Sequence, residues 1–464
     1  MHMSRQPTGT PNIPRCRLSG AAGAHSLLLL GLLLSGLLLS GTQARSADTG
    51  WRDPEFARIP FDKWPSESKS QIHWTVTIRP ADLSTHQRLI LRVTLRVDGK
   101  DVYKRRGNRE LLALIQYRDA AGNVWQNHKS IDLANLRPAV QSQYLDTTFY
   151  AFVLPGDYTV KAAVCDSSTL EHSVTVRKVH VDPLKTDPLA GSWTGLPNVD
   201  LVPPTVDPPE VWFLPDVTTR LNLQVPTKKP VHVHVLLNTT PSQRAAGSVT
   251  AMRANMSLLI PALKIFSAVD LPNGSLDAEL LDLTHRRVTF EQKNVHELDW
   301  PSIQKFFAGN RPGIIDAATL QGQWKMRKFF WDEVSRKLEP GTDGAVPVVI
   351  VLSGPAFMED QEPVEPSNSQ GEAQRRLFYI RYRAQQQPGR GNGRANIFGG
   401  TMMGRGSARM QPMMPPPDPD YIPPMPVDDL EHTVEPLNAR LFDAASTQQF
   451  RRVLAAILEQ ISRM

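Results

Sequence analysis

The sequence predicts a multidomain protein with an all-β sandwich in its N-terminal half and an α/β domain in its C-terminal half. Apolar and polar residues alternate with a period of two over residues 71–182, as in half-buried strands. From Val231 onwards, apolar strands alternate with amphipathic helices, which favours a mostly parallel sheet covered on both faces. The proline-rich residues 183–219 separate the two patterns and predict an extended, stiff linker.

The N-terminal residues have the composition of a secretory signal. Three arginines and no acidic residue precede an apolar run from Leu27 to Leu39, and small residues follow up to Ala44. We therefore predict a signal peptide over residues 1–44, and a mature protein in the periplasm, at the cell surface or outside the cell. The run is shorter than the ~20 residues that span a bilayer, so membrane attachment is expected only if cleavage fails.

Cysteine content and charge narrow the range of functions. Cys16 lies in the predicted signal, so Cys165 would be the single cysteine of the mature chain, and we expect it in the sandwich core. The net charge is +6, but three of the positive charges belong to the signal. Because no basic run is interleaved with aromatic residues, the sequence does not support nucleic-acid binding.

Alternation in the N-terminal domain is clearest in three runs, Leu91 to Val97, Leu111 to Tyr117 and Tyr158 to Val164. Turn residues such as Asp98-Gly99 separate successive runs. About five to seven strands and no convincing helix predict an antiparallel sandwich of immunoglobulin-like type. In the linker that follows, Trp193 and Trp212 are expected to pin the chain to a neighbouring domain.

The C-terminal domain, residues 220–464, begins with a short strand and continues with alternating strands and helices. Helical spacing predicts a helix ending near Phe266, a hairpin turning at His285 and a short helix capped by Asp299. A longer helix is predicted to bury one face, which consists of Leu320, Trp324, Trp331, Val334 and Leu338. Apolar runs predict two further strands, over residues 346–352 and 377–382.

The final helix has the clearest pattern, because apolar residues recur every three or four positions from Phe450 to Ile461. Ser446 and Gln449 are placed to form a capping box at its start. Between the last strand and this helix, residues 385–428 are rich in glycine, proline, arginine and methionine. Because this composition cannot bury a core, we predict a disordered insertion in a surface loop.

The predicted strand at Val231 delivers Asn238-Thr-Thr-Pro-Ser242 to its carboxyl end. This arrangement resembles the first strand and metal loop of von Willebrand factor A (VWFA) domains of bacterial type, where the loop is Asp-x-Ser-x-Ser. The order of the later elements and the segment from Arg440 to Ala445 are also similar. The resemblance covers residues 221–464, and it implies a doubly wound, Rossmann-like sheet that binds a ligand.

The family's metal-ion-dependent adhesion site holds magnesium between hydroxyls and two aspartates. The resemblance places Asn238 and Ser353 at the two aspartate positions, and Thr240 and Ser242 at the hydroxyl positions. Because both acidic charges are lost, it implies a degenerate site, and we expect neither magnesium nor another cofactor. These four residues are the candidates for ligand binding, and we expect no catalytic residue among them.

Two other patterns have simpler interpretations. His232 and His234 share one face of a strand, as paired metal ligands do, but the sequence shows no carboxylate beside them. We therefore expect packed or hydrogen-bonded histidines. Ser353-Gly354 lacks the flanking glycine of a hydrolase elbow.

The function that these observations favour is an exported, non-catalytic binding or scaffolding protein with a protein or cell-envelope ligand. Two alternatives stay open, an exported enzyme with a site assembled from scattered residues and a purely structural envelope protein. Acidic and histidine side chains that converge in one cleft would favour the enzyme. A cleft lined by hydroxyl and apolar groups would favour binding.

Overall fold

The computed structural model describes only part of the chain. The described residues are 56, 59–65, 71–202, 219–240, 249–309, 323–342, 344–356, 358, 376–382 and 428–464. The predicted signal, Trp212, Ser242 and nearly all of the predicted insertion lie outside them. Within these ranges, none of the helices has the length and apolar character needed to cross a membrane.

The N-terminal domain is a sandwich of two antiparallel four-stranded sheets, as the sequence predicts for this region. The strand order is β1-β2-β5-β8 in one sheet and β4-β3-β6-β7 in the other. The strands are β1 (Trp74–Leu83), β2 (Leu89–Asp98), β3 (Glu110–Asp119), β4 (Val124–Asp132), β5 (Tyr144–Val153), β6 (Gly156–Asp166), β7 (His172–Val181) and β8 (Val199–Leu201).

The period of two in the sequence has its physical basis in the sandwich core. On β2, the side chains of Leu91, Val93 and Leu95 are buried between the sheets, where they pack with Ile115 of β3. Burying each of these aliphatic side chains contributes about 1.5–3 kcal/mol. Cys165 is buried, as predicted, but in a separate apolar cluster on the opposite face of β6 and not between the sheets, and burial raises the pKa of its thiol to about 12. The thiol is therefore protonated and unreactive at neutral pH.

One helix in this domain was not predicted. Helix α1 (Gly99–Lys104) follows β2 directly, and the Asp98 side chain caps it by accepting a hydrogen bond from the backbone N–H of Lys100. A Cβ atom at Gly99 would lie 2.0 Å from the carbonyl oxygen of Val140, so only glycine fits. The expected turn at Asp98-Gly99 is therefore a helix start, since a six-residue helix is too short to show a periodic pattern.

The predicted linker is partly built into the sandwich. Its residues from Val199 to Leu201 form β8, which pairs with β5 at the sheet edge. Trp193 ends a short 3-10 turn, contacts both the sandwich core and the core of the C-terminal domain, and donates its indole N–H to the carbonyl of Gln87 at 2.9 Å. The predicted role of Trp193 in pinning the linker is thus confirmed.

The C-terminal domain contains a mixed six-stranded sheet of order β13-β12-β10-β14-β15-β16, in which every neighbouring pair is parallel except the antiparallel pair at edge strand β13. A separate parallel pair joins β9 to β11. The strands are β9 (Leu223–Gln224), β10 (Val231–Asn238), β11 (Val269–Asp270), β12 (Gly274–Asp282), β13 (Arg287–Gln292), β14 (Val346–Ser353), β15 (Leu377–Tyr382) and β16 (Arg440–Ala444).

Helices cover both faces of this sheet, as the sequence predicts. Val233 of β10 packs with α2 and α6 on one face, while Leu236 packs with α4 on the other. The described helices are α2 (Val249–Phe266), α3 (Trp300–Gly309), α4 (Met326–Leu338), α5 (Asp429–Val434) and α6 (Thr447–Ser462). The Ser446 hydroxyl caps α6 by accepting from the backbone N–H of Gln449 at 3.2 Å, which confirms the predicted start.

The predicted buried face of α4 is wrong at its N-terminal end. The helix begins at Met326, and Trp324 lies in the preceding 3-10 turn with 42% of its surface exposed. Phe330 and Val334, four residues apart, are the fully buried residues. Leu320 lies outside the described residues. The sequence pattern placed the tryptophan on the helix because apolar spacing continues through the turn.

A buried arginine connects α6 to the segment that follows the sandwich. Arg451 is 1% exposed, and its Nε and Nη2 donate to the two carboxylate oxygens of Asp187 at 2.6 and 2.8 Å. Nη2 also donates to the carbonyl of Leu189 and the hydroxyl of Ser192 at 3.0 and 2.9 Å. The guanidinium carbon lies 4.8 Å from the ring centre of Trp193. A paired and stacked guanidinium of this kind stabilises the contact only while its partners remain in place.

We expect Arg451→Leu to lower the free energy of unfolding by about 3–5 kcal/mol, because it removes a buried guanidinium and leaves the partly buried Asp187 carboxylate without its partner. Urea unfolding of the purified protein, followed by circular dichroism, measures this change. The neighbouring Arg452 is exposed and serves as the control, and Arg452→Leu should cost about 0.5 kcal/mol or less. Equal effects of the two substitutions would contradict this account of Arg451.

Asp187 should also make stability depend on pH. Burial, the largest single influence, raises the pKa of the Asp187 carboxyl. Hydrogen bonds from Arg451 and the Leu189 N–H, with the charge of Arg451, outweigh it and hold the pKa below its ordinary value. A lowered pKa in the folded state stabilises the protein above the unfolded-state pKa of about 3.9, and this stabilisation is lost as the pH falls through the folded-state value.

We therefore expect Asp187→Asn to be less stable than the wild type at neutral pH. The gap, meaning the difference in free energy of unfolding between the two proteins, should narrow as the pH falls below about 4. Urea unfolding at a series of pH values measures the gap. Asp332→Asn changes an exposed carboxylate and should leave only a small gap throughout. A gap for Asp187→Asn that stays constant down to acid pH would contradict the assignment.

Candidate functional site

The strand order places a topological switch point, where open α/β sheets form a crevice, between the carboxyl ends of β10 and β14. The chain proceeds from β10 towards β12 and β13 on one side, and from β14 towards β15 and β16 on the other. Ligands of open α/β sheets bind at such a point, where neighbouring strands lead away in opposite directions. Asn238 and Ser353 are the last residues of β10 and β14, so two of the sequence-predicted candidates lie at this crevice.

These candidates are bonded to one another. The Asn238 amide Nδ2 donates to the Ser353 hydroxyl at 2.9 Å, and that hydroxyl donates to the carbonyl of Gly354 at 2.5 Å. The Asn238 oxygen Oδ1 accepts from the backbone N–H of Thr240 at 2.9 Å. The Thr240 hydroxyl accepts from the backbone N–H of Leu283 at 2.8 Å. The structure thus brings Asn238, Thr240 and Ser353 together, whereas Ser242 lies outside the described residues.

This donor set does not fit magnesium. Magnesium requires near-ideal octahedral oxygen ligands, usually with one or two carboxylates. Asn238 presents an N–H group to Ser353 in place of a carboxylate, and the Ser353 hydroxyl is held by neighbouring polar groups. The Asn238 and Ser353 side chains are both buried, so they stiffen the ends of the two strands.

A buried carboxylate supports the loop after β14. Asp428, the last residue of the predicted insertion, is described in the structure and forms the N-cap of α5. It accepts hydrogen bonds from the Tyr379 hydroxyl at 2.8 Å and from the backbone N–H of Ala356 at 3.0 Å. Burial is the largest influence on the pKa of Asp428, which is raised. Asp428 therefore belongs to the folded domain and is not part of a disordered insertion.

A second polar group lies towards the amino ends of the same strands. His232 and His234 project from the β10 face that α4 covers, and Asp277 of β12 pairs with His234 in the parallel register. His232 Nε2 lies 2.9 Å from Asp277 Oδ2, and His234 Nδ1 lies 3.6 Å from the same oxygen. The two imidazole rings are 4.1 Å apart. The structure therefore supplies the carboxylate that the sequence did not show.

A cavity of about 260 Å³ opens beside these residues. Its lining brings further ionisable side chains to the same place: Glu291, Lys293, Arg336, Lys337 and Glu339. Of these, Lys337 is buried, and its ammonium donates to the buried Glu279 carboxylate. Acidic and histidine side chains thus converge in one cleft, which is the arrangement that would favour an enzyme.

The environment sets the protonation of this group. Burial, followed by repulsion from His232 and Lys337, lowers the pKa of His234 to about 3. The pKa of Asp277 is lowered, because hydrogen bonds from His232 and the Asn294 N–H outweigh the opposing effect of burial. At neutral pH, His234 is therefore a neutral imidazole beside an ionised carboxylate. A neutral imidazole has the free lone pair that a metal or a proton donor requires.

The described residues define a class of architecture, an antiparallel β-sandwich followed by a mostly parallel α/β domain. Comparison of the sequence with models of known protein families and with curated proteins found no match. The assignment of function therefore depends on the two groups of polar side chains, which lie towards opposite ends of β10.

Proposed function

We propose that this protein is an exported, non-catalytic binding or scaffolding protein with a VWFA-like C-terminal domain that recognises a protein or cell-envelope ligand without a metal ion. One observation carries the proposal. Asn238, Thr240 and Ser353 meet at the crevice between β10 and β14, are uncharged, and use their polar groups to bond one another and the backbone. Ligands of open α/β sheets bind at the carboxyl ends of the strands, and Thr240, which is only partly buried, is the candidate at this edge that a partner can reach.

The strand order supports the VWFA-like part of the proposal. Strand β10 lies inside the sheet between the parallel strands β12 and β14, and the antiparallel β13 forms one edge. This order agrees with a doubly wound, Rossmann-like sheet. The sandwich agrees with an immunoglobulin-like arrangement. The Tyr158 hydroxyl near the start of β6 donates to the carbonyl of Leu154 at 2.8 Å, as in the tyrosine corner of such domains.

Ligand capture with and without a chelator tests the proposal. Purified mature protein is immobilised and exposed to solubilised cell-envelope material of its source, in buffer containing either EDTA or magnesium. We expect the same retained component in both buffers, because no charged metal loop is needed. The double substitution Thr240→Ala with Ser242→Ala should abolish retention. Because it also removes the hydrogen bond from the Leu283 N–H, it should cost about 1 kcal/mol of stability, and circular dichroism checks that the variant is still folded.

A matched control separates the loop from general loss of hydroxyls. Ser168 and Thr169 are exposed hydroxyl residues of a sandwich turn, and each accepts a hydrogen bond from a backbone N–H. Ser168→Ala with Thr169→Ala should leave retention unchanged. Retention that survives the loss of Thr240 and Ser242, or that requires magnesium, would overturn the proposal.

A second candidate function is an exported enzyme. The observation that favours it is the convergence of His232, His234 and Asp277 with Glu291 and Glu339 at one cavity. Neutral imidazole and ionised carboxylate side chains at a cavity can move protons or hold a metal-bound water. A proton-transfer or hydrolytic activity that is lost in His234→Ala and kept in Thr240→Ala would favour this candidate over binding.

A further inference from the structure

The two histidines and Asp277 form a group that the proposed ligand loop does not use. Each of the three residues offers one ligand atom, and these atoms all lie within 4.8 Å of one another. His234 and His232 lie four and six residues before Asn238 on β10, so the group lies about 13–20 Å along the strand from the loop. A role for this group is therefore independent of the proposed binding function.

We propose that His232, His234 and Asp277 form a binding site for one divalent transition-metal ion, and that zinc is the preferred ion. Two imidazole nitrogens and one carboxylate oxygen are a donor set that zinc takes in proteins. Imidazole ligands favour zinc, copper, iron and nickel over magnesium and calcium, which prefer oxygen ligands. The site is thus chemically different from the magnesium site that the family resemblance would have supplied.

The distances suit a tetrahedral ion. Ligand atoms about 2.0–2.2 Å from zinc stand about 3.3–3.6 Å apart in a tetrahedron. The separation of 2.9 Å between Asp277 Oδ2 and His232 Nε2 is shorter than this range, and the separation of 3.6 Å between the same oxygen and His234 Nδ1 is at its upper end. His232 is partly exposed, so a small rotation of its ring would open the shorter distance.

His234 gives the second, independent observation. Its side chain is buried, with a residue exposure of 8%, and Nδ1 has no hydrogen-bond partner among the described residues. A buried polar atom without a partner costs about 1–3 kcal/mol, so such atoms call for an explanation. An ion bound beside Asp277 would satisfy this nitrogen, and the imidazole lines the cavity through which the ion would arrive.

Asp277 is oriented by a neighbouring backbone group. Its Oδ1 accepts a hydrogen bond from the backbone N–H of Asn294 at 2.9 Å, which leaves Oδ2 facing the two histidines. A hydrogen bond to the second oxygen of a ligating carboxylate is a common feature of metal sites. This contact lies behind the ligand atom and would remain when a metal binds.

The nearby cations do not exclude a doubly charged ion. The ammonium of Lys337 is paired with the Glu279 carboxylate, and the guanidinium of Arg336 is paired with Glu333. Asp277 adds a negative charge at the site itself. Three protein ligands leave one tetrahedral position for water or an exchangeable ligand, and the cavity of about 260 Å³ provides room for it.

Cobalt titration tests this proposal, because Co²⁺ replaces zinc and its visible absorption reports tetrahedral coordination. Protein treated with EDTA and dialysed should bind one equivalent of Co²⁺ with strong visible bands, and one equivalent of Zn²⁺ should remove them. A large excess of Mg²⁺ should have no effect. His232→Ala and Asp277→Asn should each weaken Co²⁺ binding by at least about 100-fold, since each removes one ligand.

The chain offers a matched control. His285 Nδ1 lies 2.6 Å from Asp282 Oδ2, so this pair also joins a histidine to a carboxylate in the same domain. His285→Ala should leave the cobalt spectrum and stoichiometry unchanged. Asp277→Asn keeps an oxygen for the Asn294 N–H, and circular dichroism shows whether each variant is folded.

Two results would overturn the metal site: no cobalt bands in the folded wild type, or bands that persist in both His232→Ala and Asp277→Asn. Ligand capture by the Thr240 and Ser242 loop is measured in EDTA, so its success or failure does not depend on this outcome. The two proposals can therefore fail separately.

Discussion

The buried guanidinium of Arg451 is the contact on which the arrangement of the two halves depends. It lies on α6, yet four of its hydrogen bonds reach Asp187, Leu189 and Ser192, which follow the sandwich in the chain. A desolvated cation is tolerated only where its N–H groups are satisfied, so the geometry of this segment is fixed together with the helix. A further bond joins the end of β1 to the same helix, because the Thr447 hydroxyl donates to the carbonyl of Leu83 at 2.9 Å.

The constraint extends from α6 to the sheet. Phe450, the residue before Arg451, is buried against Tyr382 of β15, with the two rings stacked 5.1 Å apart. β15 in turn pairs with β14, whose last residue is Ser353. The position of the crevice at Asn238 and Ser353 is therefore linked, through packed side chains and strand pairing, to an ion pair in the segment that the sequence predicted to be a linker. Interfaces held by buried polar groups demand one particular geometry, because a displaced guanidinium would lose several bonds at once.

Local sequence patterns predicted most of the fold, but little of the group formed by His232, His234 and Asp277. Alternation identified β2, and apolar runs identified β14 and β15, because burial imposes a period on residues close in sequence. Helix α1 was missed because six residues leave no such period, and Trp324 was misplaced because apolar spacing continues through the turn before α4. The candidates Asn238, Thr240 and Ser353 were found from the resemblance. Asp277 could not be found in this way, because it lies 43 positions after His234 in the sequence. Only the parallel pairing of β10 with β12 brings the two residues together.

The two polar groups differ because of where they lie on one strand. At the carboxyl end of β10, Asn238 is buried among partners that use its donor and acceptor, so little bonding capacity is left for an ion. Towards the amino end, His234 is equally hidden, but one nitrogen has no described partner and a carboxylate lies 3.6 Å away. A buried imidazole beside an anion is costly unless something completes its bonding. Neutral side chains at one end and a half-satisfied pair at the other therefore give the same sheet a neutral crevice and a charged cavity.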